Sequence, residues 1–523
     1  MNNVRFTAKE IKILICVCLA QFVSSADNVT TALLIKDIMS FFNVNLSLGQ
    51  VVTSSYSVVS ASLMLVSGLM GYFFSWRSLF RTGLFLCFMG EVSALIFEDF
   101  WSFILFSRGL MGTGAALILP SSIALLTKEI QSHNRSMAFS IWGTSVALVV
   151  SIYPIILTTI YHLAGWKAGF ALLSIIAIIV ALLSSWLPYC SPIVSEKRFD
   201  YIEAVMSIVV IASILTAIAA APSFGFFTNK VVQSKESSVV YTFSLPLPAL
   251  LMITSLSLCL IYLLFKNKTK KKNNIHSIFP RAFLKRDVLA SFYVLAFQYV
   301  IYGGVLFTLV GYISLSDYSK LELAYSTVCF AVAMFISSII VANRAQKIST
   351  KKINTISMGL LSTCIFLLSQ LIYNGISIHN ISFWMMLIGS GCGMLASRAN
   401  ISVNLAVGEY YAQQSSGAQV SSKNIGYVAG VTIFGGALSY FSSQYLQASL
   451  IHHISGIEIN SITNLFDFMS NEDLKFLLSN NNISIPPNLD GINNNARNYG
   501  IKITLAIGGL ISLLSIPIGR SVQ

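Results

Sequence analysis

Three charged side chains in the first part of the chain stand inside apolar stretches at similar depth: Asp27, Glu91 and Arg108. An ionised group among hydrocarbon chains is tolerated only when it is paired or lines a hydrated path, so each is a functional candidate. Asp27 belongs to a polar stripe, Ala20, Ser24, Asp27 and Thr31 recurring at helical spacing with Gln21 and Asn28 beside them. That stripe must face protein or water, not lipid. Arg108 lies eight residues past Phe100, about 12 Å deep at 1.5 Å per residue. Glu91 lies seven residues before Glu98, about 10 Å deep by the same rise. The two flank one short turn and can sit level, with Asp27 at comparable depth. Arg108 held by Glu91 or Asp27 makes a network in which one carboxyl can take a proton. An apolar surround favours the neutral acid and a nearby guanidinium favours the carboxylate, so withdrawing Arg108 would protonate its partner. A static ion pair that only orients helices is the alternative, and Glu91 is also open to a structural role or to reaching the outer interface.

A second set lies later. Asn400 and Asn404 share a helical face beside Arg398. Arg398 suits an anionic, carboxylate-bearing ligand, or else extends its guanidinium to the inner interface. Gln298 is surrounded in sequence by Tyr293, Phe297, Tyr299, Tyr302 and Phe307, an aromatic wall for a ligand or ordinary packing. The candidate ligand contacts are therefore Gln21, Ser24, Asn28, Thr31, Gln298, Arg398 and Asn400. The candidate proton-handling groups are Asp27, Arg108 and Glu91. Lys423 is expected at the membrane interface. The six histidines fall in loops or at interfaces, no His-x-x-x-x-Asp element or phosphate-binding Gly-x-x-x-x-Gly-Lys loop occurs, and no Cys-x-x-Cys pair occurs among the eight cysteines. Catalysis, ATP-driven pumping, a metal and a cofactor are not expected.

These residues must be positioned by membrane helices. The chain has 523 residues, 55% hydrophobic and 10% charged, far from the roughly 25% charged of soluble domains. Fourteen apolar runs are long enough to cross a bilayer: 11–35, 50–74, 79–97, 100–126, 136–161, 166–188, 201–221, 244–265, 287–313, 322–343, 353–373, 381–406, 418–446 and 498–518. The first follows a basic start but has no small-residue cleavage site, so it is read as a retained span. With the N-terminus inside, 23 of the 33 lysines and arginines fall on the inner side and eight on the outer, as the positive-inside rule requires. Both termini are then cytoplasmic, and the net charge of +13 reports topology, not nucleic acid. The run from Lys266 to Lys272 either fixes topology or binds anionic lipid head groups. The segment 447–500 is expected outside, with short amphipathic helices that cap the outer mouth or merely cover the surface.

Several segments resemble the major facilitator superfamily, in particular its fourteen-helix drug:proton antiporter branch. Ala26-Asp27-Asn28-Val29-Thr30-Thr31-Ala32-Leu33-Leu34 resembles a Leu-Asp-x-Thr-x-Val-Asn-x-Ala-Leu-Pro signature without its proline. Arg108-Gly109 with Gly112, Gly114 and Ala115 resembles the Arg-x-x-x-Gly-x-Gly-Ala element. Gly165-Trp166-Lys167 with Phe170 resembles a Trp-Arg-Trp-x-Phe segment, and Lys423 with Gly426, Gly430 and Val431 resembles Arg-x-x-Gly-x-x-x-Gly-Val. Two departures are clear. Tyr72 stands where the loop after the second span should be acidic, and around Pro154 the Gly-Pro-x-x-Gly-Gly signature keeps only its proline. The resemblance implies an all-α integral membrane fold: an N-terminal six-helix bundle (1–195), an inserted helix pair with a basic cytoplasmic loop (196–286), and a C-terminal six-helix bundle (287–523). A weak echo between Gly112-x-Gly114 and Gly391-x-Gly393 agrees with duplication. It implies a monomeric inner-membrane secondary transporter, exporting a small organic molecule against protons. A dedicated siderophore, organic-anion or metabolite carrier and a transport-inactive sensor remain alternatives.

Overall fold

The computed structural model describes residues 6–522 except 43, 45, 72, 190–197, 225–231, 234–237, 240–245, 270–274, 277–279, 317, 345–347, 374, 409–410, 412–413, 452–465, 467, 482 and 484. Tyr72, the side chains of the Lys266–Lys272 run and residues 452–465 of the 447–500 segment therefore lie outside the described residues.

The chain runs through helices α1 (Ala8–Leu33), α2 (Ile35–Phe41), α3 (Leu46–Met70), α4 (Trp76–Ile96), α5 (Phe100–Glu129), α6 (Arg135–Ala164), α7 (Lys167–Leu183) and α8 (Tyr201–Phe224). It continues through α9 (Leu247–Thr269), α10 (Arg286–Leu315), α11 (Lys320–Asn343), α12 (Thr350–Leu371), α13 (Ile378–Val407), α14 (Ser415–Leu450), α15 (Asn471–Asn480) and α16 (Leu489–Ser521). Among the described residues, eleven helices are long and apolar enough to cross a membrane. Shorter apolar stretches, Ser54–Met70, Ile152–Ala164 and Pro248–Ile261, fall at three further expected spans. The only strands described are two-residue ladders outside the helices, Arg198–Phe199 with Ile275–His276 and Val232–Gln233 with Ser238–Val239. The chain is thus a multi-pass helical membrane protein.

Local signals set the helix ends. Thr7 and Glu10 form a capping box that starts α1, and Ser319 with Glu322 does the same for α11. Gly165, at φ +75°, ends α6 in the left-handed region that a Cβ disfavours. Pro120 and Pro154 stand inside continuous helices.

Buried apolar residues gather into two large clusters. One draws on α1 and α3–α7, with Ile13, Met64, Phe80, Met111, Phe139 and Val180. The other draws on α10–α14 and α16, with Ile301, Phe330, Ile365, Ile388, Phe434 and Leu505. Helix α8 joins neither: its Leu215 packs with Ala61 of α3 and Val428 of α14. Lipid gives little hydrophobic drive between helices, so close backbone approach matters. A Cβ on Gly426 would lie 2.2 Å from the Ala296 carbonyl oxygen and one on Gly430 2.2 Å from that of Val300, so this glycine pair seats α14 on α10. Gly112 meets α3 and Gly114 meets α4, while Gly391 meets α12 and Gly393 meets α11. Gly303 and Gly304 sit inside α10 and receive the rings of Tyr427 and Phe434.

Two expectations about helix ends are corrected. Helix α14 begins at Ser415, not 418, which carries Lys423 more than two turns inside; it is buried, not interfacial. Helix α16 begins at Leu489, not 498, so Arg497 is buried and donates to the Leu315 carbonyl rather than lying in an outer loop. The 36 residues of α14 span about 54 Å, well beyond a hydrocarbon core of about 30 Å. Its far end, Leu446 and Leu450, packs with Leu474 and Leu478 of amphipathic α15 and Leu489 and Ile492 of α16, giving that end its own small core.

Candidate functional site

Helix α5 brings Arg108 to Asp27 through a local change of pitch. Phe103–Arg108 is a π-helical turn, the widened form that recurs at functional sites. Arg108 is 1% exposed and Asp27 0%. Arg108 Nη1 lies 2.8 Å from Asp27 Oδ1 and 3.0 Å from Oδ2, with hydrogen-bond geometry to Oδ2. The same Nη1 donates to Thr31 Oγ1 at 2.7 Å, and Nη2 donates to Ser107 Oγ at 3.1 Å. The guanidinium also lies 5.5 Å from the Phe103 ring centre and 5.4 Å from that of Phe170. The cation is thus met by a carboxylate, two hydroxyls and two ring faces, but Arg108 Nε has no partner.

The α4–α5 hairpin sets the depth. A Cβ on Gly90 would fall 2.9 Å from Met111 N and 3.0 Å from Ser107 O, and one on Gly114 would fall 2.6 Å from Gly83 O. These contacts press the two helices together and place Glu91, one residue on, beside the Arg108 level. Glu91 is fully buried, and neither carboxyl oxygen has a hydrogen-bond partner. Of the two carboxyls that the sequence offers to Arg108, the structure pairs it with Asp27.

The rest of the α1 stripe is mostly turned inward. Ser24 Oγ and Tyr56 OH are 2.6 Å apart, tying α1 to α3, and Thr30 Oγ1 lies 2.8 Å from Tyr153 OH on α6. Thr31 Oγ1 donates to the Asp27 carbonyl at 3.0 Å while accepting from Arg108. Gln21 is buried, its Nε2 on Ser25 Oγ at 3.2 Å and its Oε1 without a partner. Asn28 is exposed.

The later candidates do not join this cluster. Gln298 is 2% exposed on α10. Phe297 and Tyr302 are core residues beside it, whereas Tyr293 and Phe307 are exposed, so the five aromatics do not share one wall. Arg398 Nη2 donates to the Ile348 carbonyl at 2.9 Å, at the α11–α12 junction. Asn400 is buried with Oδ1 unpartnered. Asn404 accepts from Gln419 Nε2 at 2.7 Å and donates to Thr127 Oγ1 at 3.3 Å, a bridge from α13 to α14 and α5.

Where the two apolar clusters meet, α3 and α14 touch backbone to backbone. A Cβ on Gly417 would fall 2.3 Å from Met64 O and 3.0 Å from the Gly68 Cα. Ser421 Oγ donates to the Ala61 carbonyl at 3.0 Å, and Asn424 Nδ2 lies 3.4 Å from Ser60 Oγ. Sequence reasoning missed this seam and the phenylalanine clamp on Arg108. The Gly68 and Gly417 signal is a pair of isolated glycines far apart in the chain, which spacing alone does not connect.

Among the described residues, no group of three or more His, Cys, Asp or Glu is placed to hold a metal ion. The arrangement is a buried carboxyl held by a buried cation, within a molecule whose halves meet along α6 and α11 as well as along α3 and α14.

Comparison with known proteins agrees with this architecture. A sequence model described as Major Facilitator Superfamily matches residues 17–431. The chain is 21% identical over 450 residues to the methylenomycin A resistance protein of Bacillus subtilis (strain 168), covering 85% of this chain and 91% of that protein. It superposes on the proton:xylose symporter XylE with a TM-score of 0.58 at 11% identity, covering 97% of this chain and 94% of that one. It superposes on the human organic anion transporter MFSD10 (TETRAN) with a TM-score of 0.55 at 12% identity, covering 98% and 100%.

Proposed function

The chain belongs to the Major Facilitator Superfamily, and from that premise we propose that it is a proton-coupled exporter of a small organic molecule, working by alternating access. The observation that carries this reading is the buried Arg108–Asp27 pair. Ion pairs in a low-dielectric interior are poor sources of stability, because desolvation offsets the attraction. They suit a switch, in which the partner's position decides whether the carboxyl holds a proton. When Arg108 stays on Asp27 and Thr31, the carboxyl is ionised. When substrate binding or movement of α5 draws the guanidinium away, Asp27 takes a proton, and the proton crosses with the change of state. Glu91, level with the pair and without a partner of its own, is the second proton-holding group. Gln21, Ser24, Asn28 and Thr31 from one half, and Gln298, Arg398 and Asn400 from the other, supply the substrate contacts.

In this reading fourteen helices cross the inner membrane with both termini cytoplasmic. Helices α1 and α3–α7 form one six-helix bundle, α10–α14 and α16 the other, and α8–α9 the inserted pair. The monomer is the working unit. Efflux is favoured because the similar Bacillus subtilis protein is a resistance protein. Purified protein in liposomes, given methylenomycin A and a panel of organic acids, tests the reading through internal pH. Wild type should move protons with at least one compound, and Asp27→Asn and Arg108→Ala should not. Normal coupling in either variant would remove the assigned roles, and a wild type that transports without protons would make the protein a uniporter.

A further inference from the structure

Among the described residues, four cationic side chains are buried: Arg108, Arg398, Lys423 and Arg497. Arg108 has Asp27, Arg398 has the Ile348 carbonyl, and Arg497 has the Leu315 carbonyl and Asn494. Lys423 is 5% exposed and differs from them. Its Nζ meets two aromatic faces, 4.5 Å from the Trp142 ring centre and 5.7 Å from that of Tyr299. No described carboxylate or carbonyl bonds to it.

Ring faces return only part of the hydration that a buried ammonium loses. The three elements at this point come from both sides of the seam. Trp142 on α6 belongs to the first apolar cluster, Tyr299 on α10 packs against the second, and Lys423 sits on α14, which also touches α3. A second group here also lacks a partner: Trp142 Nε1, a buried N–H donor with no acceptor. One turn on from Lys423, Tyr427 is 39% exposed, so this face of α14 passes from a buried cation to an accessible ring. An ammonium, an indole N–H and flat ring faces together match an aromatic body carrying a carboxylate.

We infer that Lys423, Trp142 and Tyr299 form an anion-recognition site at the seam, and that the substrate class is aromatic carboxylates. The inference rests on the transporter reading above, since the ligand enters as the halves part. The carboxylate takes the ammonium and the indole N–H, and the ligand ring replaces the stacking that Trp142 and Tyr299 now give Lys423. Asp27 and Arg108 handle the proton, while Lys423 selects the charge of the substrate.

The test compares binding of 1-naphthoate with that of its neutral isostere 1-naphthamide to the full-length protein in nanodiscs, by isothermal titration without any gradient. Wild type should bind the carboxylate about thirtyfold more tightly or better, the scale expected when one partner of a buried charge pair is removed. Lys423→Gln should bind both ligands equally, and Lys423→Arg should retain most of the preference. The wild-type comparison needs no variant, so misfolding of Lys423→Gln leaves the inference open to refutation. Equal affinity for the two ligands in wild type, or an undiminished preference in Lys423→Gln, overturns it. Because binding is read without proton movement, loss of the preference with Asp27-dependent proton flux intact removes only this site. The preference persisting while wild type moves no protons removes only the coupling reading.

Discussion

Neutralising Arg108 and Asp27 singly and together separates what the pair does for the fold from what it does for transport. Arg108→Gln removes the cation that contacts Asp27 at 2.8 Å and leaves a carboxyl that is 0% exposed with no counter-charge. Breaking a buried pair from one side costs about 3–5 kcal/mol. Arg108→Gln also loses the donation to Ser107 and the two ring contacts at 5.4–5.5 Å, which places it at the upper end of that range. Asp27→Asn keeps an acceptor near Nη1 and the Thr31 contact at 2.7 Å, which places it at the lower end. The double variant carries no buried charge at this point and retains an amide pair of similar size. Its cost should fall short of the sum of the single costs by about 2–3 kcal/mol, the upper part of the range for residues in direct contact. Reversible SDS unfolding in mixed micelles reads all three. The double variant should cost little more than Arg108→Gln alone, yet show no proton-driven transport. Single variants costing under about 1 kcal/mol would place the pair in a solvated setting. A double variant that still couples protons would make it a structural pair only.

Three further outcomes follow from the packing. Gly114→Leu drives a side chain into the Gly83 carbonyl and Cys87; it should destabilise by at least about 1–3 kcal/mol and lower transport by shifting Arg108 relative to Glu91, read by unfolding and flux together. Gly417→Ala puts a Cβ 2.3 Å from Met64 O, so the α3–α14 seam should open more often. A cysteine placed at Ser421 in a cysteine-free background should then react faster with a water-soluble maleimide, and an unchanged rate would show that the seam does not limit access. Leu474→Asp places a charge in the apolar cluster shared by α14, α15 and α16; proteolysis near α15 should accelerate while proton flux persists, whereas lost flux would give that segment a gating role.

The elements were largely legible in the sequence for a plain reason: lipid demands continuous apolar helices, and eleven of the expected runs overlap helices long and apolar enough to cross, while three overlap shorter apolar stretches. The Arg108–Asp27 contact was partly legible. Charge inside a span narrows the partners to a few, and one tight turn sets Glu91 and Arg108 level, but depth alone does not choose between two carboxyls. The choice comes from the π-turn at Phe103–Arg108 and the phenylalanines around it, which depend on tertiary packing. Lys423 was misplaced because hydropathy starts a span where apolar residues become dense, while the helix already begins at Ser415, whose hydroxyl, like the Gln419 amide, donates to Asn404. Arg497 was misplaced likewise: the Asn-rich stretch before it reads as loop, but Asn493 bonds to Met469 O and Asn471, and this buries the polar start of α16.

Separating exchange from uphill accumulation in liposomes bears most directly on the mechanism. Substrate-for-substrate exchange needs only the movement of the two halves, whereas accumulation against a gradient needs a titrating carboxyl at position 27. Asp27→Asn should keep exchange at a rate near wild type and fail to accumulate substrate under an imposed pH gradient. Accumulation by Asp27→Asn to the wild-type level would contradict the account.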